Sequence, residues 1–279
     1  MVGRIVSAEH PHTIEGVQYH IKCKPGDVAK YVLLPGDPDR VPRIAKYWDE
    51  AREVARNRCY VTYTGTYKGK PISATSTGIG CPSTAIALEE LLRVGARTFI
   101  RVGTTGSIRS EVKVGDLVIS SGAVRLEGTS RQYVMVEYPA LASYEVVLAL
   151  IEAAESLGVR YHVGLTASTD SFYVGQARPG FNGYLPSFSR NIISDLQACG
   201  VLNFEMEAST IFTLSSIYGV RAGAVCAVLA NRVTNEFIED AGVEDCIKVA
   251  NEAVKILSDW DSLKDSRGKY YFYPSLLLK

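Results

Sequence analysis

The chain has 279 residues, of which 47% are hydrophobic, and its 30 basic and 30 acidic side chains leave a formal net charge of zero. This length and hydrophobic content allow a large buried core. The balanced charge excludes a broad electrostatic field of the kind that attracts nucleic acid or an anionic membrane surface. No apolar stretch approaches the ~20 residues that span a bilayer, and the first residues carry no export signal, so we expect a cytoplasmic protein.

Six cysteines are scattered along the chain without CxxC or CxxH spacing. Such spacing is what a zinc site or a small disulfide framework requires. We therefore expect buried thiols and no metal site.

Short strand patterns alternate with helical patterns from about residue 30 to residue 260. This alternation is typical of an α/β protein with a central mixed, partly parallel β-sheet flanked by helices. Because no linker or low-complexity segment interrupts the chain, residues 1–279 are predicted to form a single domain, with residues 261–279 as a C-terminal tail.

The first elements form a predicted βαβ unit. Apolar runs at Tyr31–Leu34 and residues 71–77 each end in a glycine-containing loop, and a helix over residues 83–94 ends at Gly95. Another strand follows at residues 98–102. The unit predicts parallel strands, and ligands in such sheets bind beyond the carboxyl ends of the strands.

The second half of the chain continues the alternation. Strands are predicted at residues 116–121, 163–168 and 222–230, with a helix over residues 146–154 that Gly158 closes. A last helix is predicted over residues 243–260. The tail that follows is too apolar to stay in solvent, so we expect it to pack on its own domain or on a neighbouring subunit.

Two loops carry residues suited to phosphate. Gly36 precedes Arg40 by four residues. Arg101 lies within an otherwise apolar strand, and the predicted loop after that strand contains Gly103 and Thr104. A guanidinium group matches phosphate oxygens, and an arginine in a central strand must be paired. Taken singly, the first loop is more often an ordinary turn and Arg101 more often the partner of a structural carboxylate. Neither loop has the spacing of a dinucleotide-binding motif or a P-loop.

Taken together, the motifs resemble those of the hexameric nucleoside phosphorylases. The resemblance runs from about His20 to residue 258 and rests on PGDPDR at 35–40, STGIGCPS at 76–83, RVGTTGSI at 101–108 and FEMEAST at 204–210. FYVGQAR at 172–178 and the Ala-Asn-Arg at 230–232 resemble the uridine-cleaving members in particular. Purine-specific relatives carry an aspartate in place of Asn231, and an asparagine cannot act as the acid that protonates a purine.

The resemblance implies a phosphate site made of Gly36, Arg40, Arg101 and Thr104, joined by Arg58 from an adjacent subunit. Three guanidinium groups would hold the phosphate beside the anomeric carbon.

The same resemblance implies a ribose site and a base site. The ribose would contact Glu205, Met206 and Glu207, together with His20 from the neighbouring subunit. Phe172 would stack on the base, Gln176 and Arg178 would donate hydrogen bonds to it, and Arg232 would support them. Arg101, Glu207 and Arg232 are the predicted catalytic residues.

The implied reaction is the reversible phosphorolysis of a pyrimidine nucleoside, in which uridine and phosphate give uracil and ribose 1-phosphate. Phosphate is then a co-substrate, no cofactor is needed, and the partners are small molecules and further copies of the chain, with a dimer as the catalytic unit of a hexamer. Cys59 stands where relatives carry a glutamate that binds a monovalent cation, which argues against a potassium site. Phe204 replaces a tyrosine of bacterial uridine enzymes, so base preference could extend beyond uracil.

Three alternatives stay open at this point. The chain could be a purine or methylthioadenosine phosphorylase, although Asn231, Gln176 and Arg178 speak against it. A nucleosidase would use water, which leaves the arginines without a purpose. A non-catalytic nucleoside-binding or storage protein could keep the same fold, although retention of Glu207 and the arginines argues against this.

Overall fold

The computed structural model describes residues 5–278, which form an 11-stranded mixed sheet with helices packed on both faces. The strands are β1 Tyr31–Leu34, β2 Glu50–Asn57, β3 Tyr60–Tyr67, β4 Lys70–Thr75, β5 Thr98–Ser107, β6 Leu117–Leu126, β7 Ala140–Leu141, β8 Tyr161–Thr169, β9 Val201–Glu205, β10 Arg221–Asn231 and β11 Glu236–Phe237. The helices are α1 Arg40–Ala45, α2 Cys81–Arg93, α3 Tyr144–Leu157, α4 Ile192–Ala198, α5 Ala208–Ile217 and α6 Val243–Ser266. This architecture confirms the predicted fold class. None of the helices described is long and apolar enough to cross a membrane, and the cytoplasmic location stays a prediction.

Strand β5 is the centre of the sheet because it pairs with three other strands. It runs parallel to β1 and β10 and antiparallel to β9. Strands β5, β10, β6, β8 and β9 thereby close into a ring, while β1, β4, β3 and β2 extend from it as an open sheet. Strands β4 and β5 are both parallel to β1, which lies between them, so the parallel strands of the predicted βαβ unit are confirmed.

The sheet is buried on both sides, as the alternation of side chains along β1 illustrates. Val32 and Leu34 face the layer formed by α2 and α5, whereas Leu33 faces the layer formed by α3 and α6. Successive side chains of a strand point to opposite faces, so one short apolar strand serves both cores. Helices thus cover both faces of the sheet. A binding site is therefore expected among the loops at the strand ends.

Element boundaries differ from the prediction in two places that matter. Strand β5 continues to Ser107, so Gly103 and Thr104 lie within the strand rather than in a loop after it. Helix α6 ends at Ser266, six residues beyond the predicted end, so the first part of the predicted tail is helical. Gly158 closes α3 in the left-handed conformation, with a φ of 65°, as predicted.

The C-terminal tail packs on its own domain. The ring of Phe272 stacks on Trp260 of α6, with centroids 3.9 Å apart and planes 9° apart, and Leu276 is buried nearby. The backbone N–H of Phe272 donates to Glu145 of α3. The tail therefore packs against the amino-terminal end of α3 and the carboxyl-terminal part of α6.

We expect Phe272→Ala to lower the free energy of unfolding by about 3 kcal/mol, because it removes a large buried ring and leaves a cavity against Trp260. Chemical denaturation with both variants would measure this. Tyr270→Ala is the matched control, since the Tyr270 side chain is 84% exposed and should cost little. Equal stability of the two variants would show that the tail contributes nothing to the fold.

Candidate active site

A cavity of about 620 Å³ opens where the loops after β1, β4 and β8 meet β5 from Arg101 onward and the end of β9. It contains every predicted site residue except His20, Arg58 and Arg232. Those lining it are Gly36, Arg40, Arg101, Thr104, Phe172, Gln176, Arg178, Glu205, Met206 and Glu207. Residues spread over more than 170 positions of sequence are thus brought to one site.

Arg101 is the charged centre of the cavity floor. Its Nη2 atom lies 2.6 Å from Glu207 Oε2 and its Nε atom 2.9 Å from Glu205 Oε2. Burial disfavours its charge, but the two carboxylates outweigh burial and hold the pKa of Arg101 above its usual value. A Cβ at Gly103 would lie 2.8 Å from the Arg101 guanidinium, so only glycine leaves room for this side chain. The requirement that Arg101 be paired is therefore met inside the site.

Glu205 is a positioning residue in this arrangement. Its Oε2 atom accepts hydrogen bonds of 2.8 Å from the backbone N–H groups of Glu207 and Ala208, at the start of α5, as well as facing Arg101. Its Oε1 atom accepts a hydrogen bond from Ser168. Both oxygens are thus engaged by the protein, and the contact of Glu205 with ribose stays a prediction.

Glu207 is the second carboxylate that lines the cavity, and 5% of its side chain is exposed, whereas the Glu205 side chain is fully buried. Its Oε1 atom accepts a 2.6 Å hydrogen bond from the Gly80 N–H, and Oε2 faces Arg101. Burial raises the pKa of Glu207; Arg101 opposes this shift and the Glu205 carboxylate adds to it. Met206, between the two glutamates, also lines the cavity and is only partly buried. Glu207 and Met206 are therefore placed to contact a polar ring that has one apolar face.

Arg40 differs from Arg101 because no carboxylate within residues 5–278 forms an ion pair with it. Its Nη1 atom donates to the Val102 carbonyl at 3.1 Å, and burial together with the nearby Arg101 lowers its pKa. Two guanidinium groups at one wall, one of them without a carboxylate, suit a multiply charged anion. Gly36 and Thr104 line the same wall and add a closely approachable backbone and a hydroxyl.

The opposite wall carries amide and guanidinium donors over an aromatic ring. Gln176 is buried, its Nε2 atom donates to Thr169 at 3.0 Å, and its Oε1 atom accepts from Arg178. The Arg178 guanidinium lies 4.0 Å from the Phe172 ring centroid. Burial, with Arg232 nearby, lowers the pKa of Arg178 to about 10, so it stays charged at neutral pH. A planar, polar ring would find hydrogen-bonding partners here.

Arg232 and Asn231 act behind this wall. Arg232 does not line the cavity, and its Nη1 atom donates to the Gln176 carbonyl at 2.8 Å, which fits the predicted supporting role. The Asn231 amide donates to the carbonyls of Arg109 and Val112, and its oxygen accepts from the N–H groups of Val233 and Thr234. Asn231 is therefore occupied in shaping the loop after β10.

Besides Arg232, two more predicted residues lie outside the cavity of their own chain. Arg58 is exposed at the turn between β2 and β3, with a φ of 54°, next to Cys59 on the cavity wall. His20 lies in a separate groove, where its Nδ1 atom is 2.7 Å from Glu90 Oε1. Both were predicted to act on a neighbouring subunit, and neither reaches the site within one chain.

One group of potential metal ligands occurs among the described residues, formed by Cys81, Glu127 and Asp170, whose ligand atoms lie within 4.8 Å of one another. Sequence spacing could not reveal it because the three residues are far apart in the chain. Burial raises the pKa of the Cys81 thiol, and both acids accept hydrogen bonds from neighbouring groups. Both carboxylates are thus engaged by the protein itself, and the absence of a metal site stays a prediction.

The site has the parts expected of an enzyme that transfers a pentose to an anion: guanidinium groups for the anion, a carboxylate for the sugar and a polar wall for a planar ring. The chain belongs to the phosphorylase superfamily, whose family model matches residues 30–259. The resemblance noted in the sequence is thereby confirmed.

Three relatives place the chain within that family. The uridine phosphorylase of Thermococcus kodakarensis is 66% identical over 276 residues, which are 99% of each chain. The uridine phosphorylase of Escherichia coli K12 is 41% identical over 242 residues, or 86% of this chain and 94% of that protein. The guanosine phosphorylase of Halorubrum lacusprofundi is 40% identical over 251 residues, or 86% of this chain and 99% of that protein.

Proposed function

We propose that this protein is a pentosyltransferase that cleaves uridine with phosphate to give uracil and ribose 1-phosphate, reversibly. The proposal rests on one observation: a single cavity joins Arg40 and Arg101, the Glu207 carboxylate, and the Gln176 and Arg178 donors. These three groups match, in order, a phosphate, a ribose and a uracil. Phosphate is a co-substrate in this reaction, and no further cofactor is required.

Catalysis follows from the charges along the cavity. As the glycosidic bond lengthens, the ribose becomes cation-like, and a phosphate held by Arg40 and Arg101 lies ready to bond with the anomeric carbon. Glu207 accepts hydrogen bonds from the ribose hydroxyls and, with the phosphate, stabilises the positive charge more in the transition state than in the neutral substrate. The glycosidic bond electrons leave with the base.

The base wall stabilises the charge that the leaving uracil gains. The Gln176 amide and the Arg178 guanidinium are fixed by each other and by Thr169, so they are already oriented before a ligand binds. Preorganised donors in a dry site stabilise a developing anion more than water does. The exposed ring of Phe172 provides a stacking surface for the base.

The second candidate function is that of a guanosine phosphorylase. It is suggested by one relative, from Halorubrum lacusprofundi, which carries that name at 40% identity. Asn231 argues against it. Its amide is fully hydrogen-bonded to the backbone of two loops and has no proton to give to a purine.

Incubating the protein with phosphate and either uridine, guanosine or inosine, and measuring ribose 1-phosphate, tests the proposal. We expect uridine to be cleaved fastest and turnover to stop when phosphate is omitted. Faster cleavage of guanosine or inosine would overturn the base assignment, and turnover without phosphate would indicate a nucleosidase. Binding of uridine without any ribose 1-phosphate would indicate a binding protein.

We further propose that two copies of the chain form the catalytic unit, and that three such dimers form a hexamer. Arg58 is exposed and outside its own cavity, and the resemblance assigns it to the phosphate of the neighbouring subunit. His20 is assigned in the same way to the ribose 5'-hydroxyl. A dimer would thus supply the third guanidinium to each phosphate.

Mixing two defective variants tests this exchange of residues. We expect Arg58→Ala and Glu207→Gln each to be weakly active alone, and to regain activity when their subunits are mixed under conditions that exchange them. One site of each mixed dimer then contains both Arg58 and Glu207. If Arg58 acts within its own chain, mixing restores nothing. A fully active monomer in sizing experiments would also contradict the proposal.

A further inference from the structure

A line of buried hydrogen bonds leads away from the cavity behind Glu205. Ser168, in β8, is fully buried and does not line the cavity. Its hydroxyl donates to Glu205 Oε1 and accepts a 2.9 Å hydrogen bond from the Ser209 N–H. A hydroxyl has one hydrogen, so acceptance from a backbone N–H leaves that hydrogen for the Glu205 carboxylate.

The line continues to Glu127, a buried carboxylate that the proposed mechanism does not use. Its Oε1 atom accepts a 3.0 Å hydrogen bond from the Ser209 hydroxyl, and Ser130 donates to it through both its N–H (2.8 Å, to Oε2) and its hydroxyl. Glu127 is 1% exposed and forms no ion pair with any residue from 5 to 278. A buried acid without a cation is costly, and here the donors of Ser130 and Ser209 satisfy its oxygens and hold Ser209 in place.

We propose that Ser168 is a positioning residue for the reaction, and that Glu127 fixes it through Ser209. Ser168 holds one oxygen of Glu205, so the other oxygen is fixed where it meets Arg101 and the start of α5. Glu205 thereby sets the distance between Arg101, which binds phosphate, and Glu207, which binds ribose. This inference rests on the proposed function for its kinetic consequences, although the geometry itself can be tested separately.

The kinetic test compares Ser168→Ala with Ser120→Ala. Ser120, in β6, is also fully buried, but its hydroxyl has no hydrogen-bond partner in the described part of the chain, so its removal controls for the loss of a buried oxygen. We expect Ser168→Ala to lower kcat/KM for phosphate by roughly 10- to 100-fold, the scale of a small misplacement of catalytic groups. The KM for uracil in the synthetic direction should change much less, because Gln176 is held by the Thr169 hydroxyl and by Arg232 and not by Ser168. Loss of folded protein would lower kcat and kcat/KM by one common factor for every substrate and leave all KM values unchanged.

Two further variants keep the test decisive. Glu127→Gln should change the phosphate parameters in the same direction with a smaller effect, because Glu127 is three hydrogen bonds away from Glu205. Ser168→Thr retains the hydroxyl and should recover most of the activity lost in Ser168→Ala. Phosphate parameters in Ser168→Ala and Glu127→Gln that match those of Ser120→Ala would overturn the proposal.

Crystal structures of Ser168→Ala and the unchanged protein separate this proposal from the proposed function. We expect the Glu205 carboxylate to leave its position beside Arg101 in the variant, whatever reaction the protein catalyses. An unmoved Glu205 would overturn the positioning role while phosphorolysis by the unchanged protein still stands. Absence of phosphorolysis in the unchanged protein would instead overturn the proposed function, and a displaced Glu205 would still support the positioning role.

Discussion

Replacing Arg101 with lysine is expected to lower kcat/KM for uridine by about 100-fold or more, which corresponds to about 2.7 kcal/mol of transition-state stabilisation. Lysine keeps the positive charge that the buried carboxylates need. It loses the planar fork with which Arg101 faces Glu205 and Glu207 at once, and with which it would also meet a phosphate oxygen in the proposed mechanism. Steady-state kinetics with phosphate and uridine each varied would measure the loss.

The control for this prediction is Arg221→Lys. Arg221 is a partly buried arginine of a central strand, and it pairs with Glu145 and Asp261 at the amino end of β10, away from the cavity. We expect this variant to lose stability and to keep its kinetic parameters. If Arg101→Lys retained normal kcat/KM, Arg101 would be no more than a structural partner of the two glutamates.

Arg101 also shows how far the sequence alone could lead. Its position in an apolar strand made a charged partner obligatory, and the glycine that follows two residues later made close approach to its guanidinium possible. The identity of the partners could not follow from the strand itself, because Glu205 and Glu207 are about a hundred residues away. Only the resemblance to a known family pointed to those residues.

The elements that escaped prediction lack the periodicity on which such prediction rests. Helix α5 is buried around its whole circumference and is rich in serine, threonine and isoleucine, so it has no polar face to set a period of 3.6 residues. Strand β2 is mostly exposed and charged, without alternating apolar residues. Tertiary packing, rather than local preference, determines both elements.

Roles that depend on hydrogen-bond partners were equally beyond the sequence. The resemblance places Glu205 at the ribose, and the sequence does not indicate that its two oxygens also hold a helix terminus, Arg101 and Ser168. The residue type alone shows that Asn231 cannot act as an acid. Only the structure shows that its side chain is hydrogen-bonded to the backbone and so shapes a loop. Residue type therefore indicated chemistry, and geometry decided which atoms are free to perform it.

Glu207→Gln should lower kcat for uridine by about 100-fold or more, because the amide keeps the size of the side chain and removes the negative charge that stabilises the cation-like ribose. Glu145→Gln is the control. Glu145 is a buried carboxylate paired with Arg221 and Lys264 at the other end of the sheet, so its loss should affect stability and spare kcat. A normal kcat in Glu207→Gln would contradict the assigned role.

The pH dependence sharpens this last test. Burial raises the pKa of Glu207, and its stabilising charge is present only above that pKa, so activity should fall with decreasing pH at a higher pH than for an exposed glutamate. Phosphate also titrates and would give a pH dependence of its own. Because phosphate is unchanged in Glu207→Gln, any limb that the variant lacks belongs to Glu207. An acid limb identical in both proteins would assign that titration to phosphate and leave Glu207 ionised throughout.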